Sequence, residues 1–133
     1  MQQWLKCVEF HPDFSQTYEG AFGQAPGHEA HGGSTYCAVA SLVLMDKLTQ
    51  VLNSKKLERL KRWCLMKQVS GFQGRPNKDP DTCYSFWIGA TLKLLNSFHL
   101  MNEEENVDFV LSTEDDEVGG LSKFPQNSSG IYI

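Results

Sequence analysis

Asp81 and Cys83 stand two positions apart where an apolar helix should begin. A carboxylate and a thiol are both good zinc ligands, but zinc takes four in all, so at least one further protein ligand would have to come from elsewhere. A zinc-bound thiol is deprotonated outright, so such a pair could generate a thiolate near neutral pH. The plainer alternative leaves Asp81 as a helix N-cap and Cys83 as a packed thiol. Just upstream, Arg75 and Lys78 place two cations on a glycine-marked loop. With His31 and the Tyr84 hydroxyl they could form an anion site at a helix N-terminus, suited to a phosphate or a diphosphate leaving group. They could equally be solvated loop charges. Trp87, one turn past Cys83, is either a core residue or a wall of an apolar ligand channel.

These residues need helices to position them. Tyr18 to Gly33 is rich in glycine, proline and alanine and reads as a loop. Ser34 or Thr35 can then cap a helix to about Lys47, apolar almost all round and so expected to be buried on most sides. The next helix, from an N-cap at Ser54 to about Gln68, is amphipathic. Leu57, Leu60 and Cys64, with Trp63 beside them, form its apolar stripe, and Lys55, Lys56, Glu58, Arg59, Lys61, Arg62 and Lys67 cover the other face. Gly71 opens a second loop, and Thr82 to Leu95 is a second nearly all-apolar helix. A more polar helix follows, about Glu104 to Ser112, with Val107, Val110 and Leu111 as its apolar residues. Gly119-Gly120 opens a third loop. At the start of the chain, Gln2 to Phe10 could form a short helix that breaks at Pro12.

The pattern repeats. Gly71-Phe72-Gln73-Gly74 echoes Gly20-Ala21-Phe22-Gly23; Gly23 to Gly74 is an offset of 51, and Ala40 to Ala90 one of 50. Loop, buried helix and amphipathic helix recurring at about 50 residues predict an all-α, two-layer helical array. The predicted units are about 18–68 and 69–113, with a truncated repeat from 114, in one domain over 1–133. Each repeat buries its face only against neighbours, so at least ~3 are normally needed, and the chain is expected to be part of a longer array. The loops should gather at one end, with His31, Arg75, Lys78, Asp81, Cys83 and Tyr84 there.

Composition narrows the partners. The 133 residues carry a formal net charge of −4, which gives no nucleic-acid footprint. The runs Glu103-Glu104-Glu105 and Glu114-Asp115-Asp116-Glu117 read as solvated faces. No stretch approaches the ~20 consecutive apolar residues of a membrane span. Met1 to Cys7 lacks the apolar run of a signal peptide, and the four dispersed cysteines include no Cys-x-x-Cys pair. They read as reduced thiols in a cytoplasmic protein, with Cys7, Cys37 and Cys64 as small buried hydrophobes.

The stretches Glu29-Ala30-His31-Gly32-Gly33-Ser34-Thr35-Tyr36-Cys37, Gly74-Arg75-Pro76-Asn77-Lys78 and Asp81-Thr82-Cys83-Tyr84-Ser85-Phe86-Trp87 resemble the β subunits of protein prenyltransferases. The resemblance runs from about Tyr18 to Pro125. Within that family it is strongest to the type I geranylgeranyltransferases, with farnesyltransferase β subunits as the alternative. It implies an α/α toroid, here an incomplete ring. It implies transfer of a geranylgeranyl group from geranylgeranyl diphosphate to the cysteine of a C-terminal CaaX motif, in a heterodimer with an α subunit. By motif match, Asp81 and Cys83 fall on two ligands of a Zn2+ that activates the substrate's thiol, so no residue here is the nucleophile. His31, Arg75, Lys78 and Tyr84 fall on diphosphate-binding positions, and Trp87 falls on the isoprenoid pocket. The family's third zinc ligand, a histidine in the following repeat, has no match here: the third repeat begins at Gly119 and ends in Gln-Asn-Ser-Ser-Gly-Ile-Tyr-Ile. A chain so cut is expected to be inactive alone. A non-catalytic helical-repeat module that binds the α subunit or an isoprenoid diphosphate is the alternative from another functional class.

Overall fold

The computed structural model describes residues 16–115 and 119–125. The expected helix over Gln2–Phe10, the break at Pro12, Cys7 and the Asp116-Glu117 pair lie outside them. The helices are α1 (Gly32–Leu44), α2 (Leu48–Val51), α3 (Ser54–Leu65), α4 (Thr82–Leu94) and α5 (Glu103–Leu111), with a 3₁₀ turn at Phe98–Leu100 before α5. Among the described residues no β-strand forms; isolated antiparallel bridges such as Gly23–Ala30, Gln73–Pro80 and Glu114–Leu121 pinch the three loops.

The recurrence is visible in backbone chemistry. His31 caps α1 and Asp81 caps α4, at an offset of 50. Both helices end in the same way. Asp46 and Asn96 take left-handed φ of 54° and 53°, and Lys47 N–H bonds Leu42 O as Ser97 N–H bonds Leu92 O, each at 2.8 Å. Asp46 N–H to Val43 O and Asn96 N–H to Lys93 O complete two Schellman motifs, with Asp and Asn where glycine is more usual. The bridges equate Gly23 with Gln73, so the repeat is 50 and the 51-residue pairing of Gly23 with Gly74 is corrected. Phe22 and Phe72 are then equivalent, and both are buried.

α1 packs most extensively against α4, with Val39 and Leu42 on one side and Ile88 and Leu92 on the other. Leu60, Trp63 and Cys64 of α3 close the core from outside, as the apolar stripe predicts. Burial pushes the Cys64 thiol up to about 12, so it stays protonated at neutral pH.

Several local expectations change. Helix α1 begins before Ser34 because His31 Nδ1 accepts the N–H groups of Gly33 and Ser34. Thr35 is turned inward, its hydroxyl bonded to Phe22 N–H at 3.1 Å and Phe22 O at 3.3 Å. Asn53, not Ser54, caps α3 by accepting Lys56 N–H at 3.0 Å. Phe109 anchors α5, packing over bare Gly71, whereas Val107 and Leu111 are exposed. Lys67 is not on a solvated face: it is buried with its ammonium 5.0 Å from the Trp63 ring centroid. Cys37 is exposed rather than buried. The inner helices are covered along one stripe only, and Leu44 and Phe86 are exposed.

Candidate functional site

The first N–H groups of a helix lack intrahelical partners. Here the next loop supplies them: Gly32 N–H bonds Gly74 O at 2.8 Å, and Thr82 N–H bonds Lys123 O at 3.2 Å. Consecutive loops are thereby stitched across the starts of α1 and α4.

Gly74 is required at this seam. A Cβ there would lie 2.0 Å from the Tyr84 ring. Because the position is bare, the ring crosses the loop and Tyr84 Oη reaches His31 Nε2 at 3.0 Å. His31 Nδ1 is an acceptor in the α1 cap. The neutral ring therefore carries its proton on Nε2 and donates it to Tyr84 Oη, which leaves the tyrosine O–H to donate outward. Burial holds the His31 pKa below its usual value; the Arg75 guanidinium lowers it further and Glu29 opposes.

Arg75 NH1 pairs with Glu29 Oε1 at 2.5 Å. Both line a cavity of about 340 Å³ with Gln24, His28 and His31. His31, Tyr84 and Arg75 are thus brought together. Lys78 is exposed on the same loop, and among the described residues no hydrogen bond or ion pair joins it to them.

Next to this group, Asp81 is buried at the α4 N-terminus. Its Oδ1 accepts Cys83 N–H at 2.8 Å, and its Oδ2 lies 3.4 Å from Lys123 Nζ. A hydrogen bond to the Asp81 carboxylate, with burial second, raises the Cys83 thiol pKa. Carboxylate and thiol are adjacent and could take one cation between them, so the donor set fits two of zinc's four positions. Among the described residues no group of three His, Cys, Asp or Glu side chains is placed to hold a metal ion.

Trp87 is half-buried in an aromatic cluster, with centroids 5.1 Å from Tyr36 and 4.9 Å from Phe86. Tyr36 and Phe86 occupy equivalent positions 50 apart, a signal the repeat carried and the sequence reading did not use. Glu29 opens the first family-like stretch but was given no role there, and no local pattern points to Lys123.

Residues 6–132 match the prenyltransferase α/α toroid domain model. This chain belongs to that family. It is 50% identical over 109 residues to the geranylgeranyl transferase type-1 subunit beta of Dictyostelium discoideum, covering 82% of this chain and 30% of that protein. The Arabidopsis thaliana geranylgeranyl transferase type-1 subunit beta is 45% identical over 126 residues, 88% of this chain and 33% of that one. The fold is similar to Candida albicans protein geranylgeranyltransferase-I complexed with GGPP, with a TM-score of 0.79 at 28% identity over 93% of this chain and 38% of that one. The chain spans about a third of the length of these relatives. Among the described residues no helix is long and apolar enough to cross a membrane.

Proposed function

We propose that this chain forms part of the β subunit of a cytoplasmic type-1 protein geranylgeranyltransferase. In that reading it works with an α subunit, and the assembly transfers geranylgeranyl from its diphosphate to the cysteine of a CaaX protein. One observation carries it: the 3.0 Å contact of His31 Nε2 with Tyr84 Oη, which frees a phenolic proton beside Arg75 and the Asp81–Cys83 pair.

In this reading Arg75, Lys78 and Tyr84 hold the diphosphate, and His31, with both ring nitrogens engaged, serves the site by orienting the Tyr84 hydroxyl. Arg75 and Lys78 offset the charge that grows on the departing diphosphate, and Tyr84 donates a hydrogen bond to it. Tyr36, Phe86 and Trp87 give an apolar wall for the isoprenoid and keep water from the reacting carbon. Asp81 and Cys83 would hold zinc as two of its ligands. Zinc, when bound, acts as a Lewis acid that keeps the substrate protein's thiol ionised.

The test is calorimetric titration of the chain, alone and co-expressed with an α subunit, with geranylgeranyl diphosphate. Saturable binding that Tyr84→Phe and Arg75→Gln each weaken is expected. Equal binding by wild type and both variants would sink the diphosphate site. Binding that never leads to transfer to a CaaX peptide, with α subunit and zinc present, would favour the non-catalytic module.

A further inference from the structure

The Arg75 guanidinium is already occupied. Its partner, Glu29, comes from the loop before α1, whereas Arg75 comes from the loop before α4. Both side chains are about half exposed, at 43% for Arg75 and 48% for Glu29. Glu29 sits two positions before His31, and Glu29, His31 and Arg75 line one cavity. An anion that enters this cavity beside His31 meets a cation whose charge is already balanced, and beside it a carboxylate that repels the anion.

We propose that Glu29 is a competitive latch on Arg75: it holds the guanidinium in place while the site is empty and must release it when a diphosphate binds. This rests on reading the loop pair as a diphosphate site. The latch aligns Arg75 across the seam between repeats, at the expense of affinity. A half-exposed pair is weak, so the effect on binding is modest, about two- to fivefold, and is screened by salt. Glu29 is a positioning residue that acts through Arg75, with no contact to the ligand.

The experiment is titration of the full chain with inorganic pyrophosphate at low ionic strength, using wild type, Glu29→Gln, Arg75→Gln and the double variant. Glu29→Gln preserves size and removes the charge. In the wild-type background it is expected to tighten pyrophosphate binding about two- to fivefold, and the gain should vanish in high salt. In the Arg75→Gln background the same change is expected to have little effect, because the partner it releases is gone. Unchanged or weaker binding by Glu29→Gln overturns the latch, as does an equal gain in both backgrounds, which would mean general charge repulsion. Wild-type binding that does not respond to Arg75→Gln, or no pyrophosphate binding at all, sinks the diphosphate reading itself and the latch with it.

Discussion

His31 and Tyr84 are 53 positions apart, yet their side chains meet at 3.0 Å, with the rings edge to face at 77°. His31 stands at the start of α1 and Tyr84 in the first turn of α4, so the contact requires both inner helices to begin at one level. The same histidine caps α1 through its other nitrogen. One imidazole therefore links a helix start, a neighbouring repeat and the candidate anion site.

Gly74→Ala is the sharpest steric test of that link. The added Cβ would lie 2.0 Å from the Tyr84 ring and 2.4 Å from its edge carbon, so the ring must leave. A stability loss of about 1–3 kcal/mol is expected from overpacking, seen as a lower denaturation midpoint. Pyrophosphate affinity should fall in the same variant as far as in Tyr84→Phe. A variant that keeps full affinity would show that Tyr84 does not act from this position.

The His31 shift gives a pH prediction with a definite sign. Its folded pKa lies below 6.5, by burial first and Arg75 second. The unfolded chain then binds more protons in that window, so stability rises with pH. The contribution is fully present above about 6.5 and is lost as pH falls through the folded value. An NMR titration of the His31 ring should give a midpoint under 6.5. Arg75→Gln should raise it, and Glu29→Gln should lower it.

Asp81 caps α4, and in the proposed zinc site it would also be a ligand; one pair of substitutions separates the two roles. Asp81→Ala removes the acceptor for Cys83 N–H and should destabilise the chain by about 1 kcal/mol. Asp81→Asn keeps an acceptor oxygen, and Asn caps as well as Asp, so stability should change by less than about 0.5 kcal/mol. It removes the negative charge a metal needs. Cobalt binding, followed by its thiolate charge-transfer absorption, should therefore weaken in both variants, although only Ala unfolds earlier.

Phe72→Ala addresses the seam between core and loop. Phe72 is fully buried, and its carbonyl accepts Asp81 N–H at 3.1 Å. Loss of the ring should cost about 3–5 kcal/mol, measured by urea unfolding. Tyr18→Ala, by contrast, removes a ring that is 86% exposed and should shift stability by less than about 0.5 kcal/mol.

The helices, their two-layer alternation and the Asp81 cap were legible because such signals are local. Periodicity reads out within a few turns, and a cap acts on N–H groups two or three residues away. The Leu60, Trp63 and Cys64 stripe is buried as the spacing of α3 requires. The repeat likewise set His31, Arg75, Lys78, Asp81, Cys83 and Tyr84 at one end of the array. Tertiary structure decided which of them meet. His31 rather than Ser34 or Thr35 starts α1, because Thr35 is drawn to Phe22 across the first loop. Lys67 is buried because the Trp63 ring and the surrounding core shelter its stem. Glu29 on Arg75, Lys123 on Asp81 and Tyr84 on His31 all join residues at least 40 positions apart. Sequence spacing carries no record of such pairs. They exist because consecutive loops are hydrogen-bonded across the helix starts, and because Gly74, having no side chain, lets a ring pass between them.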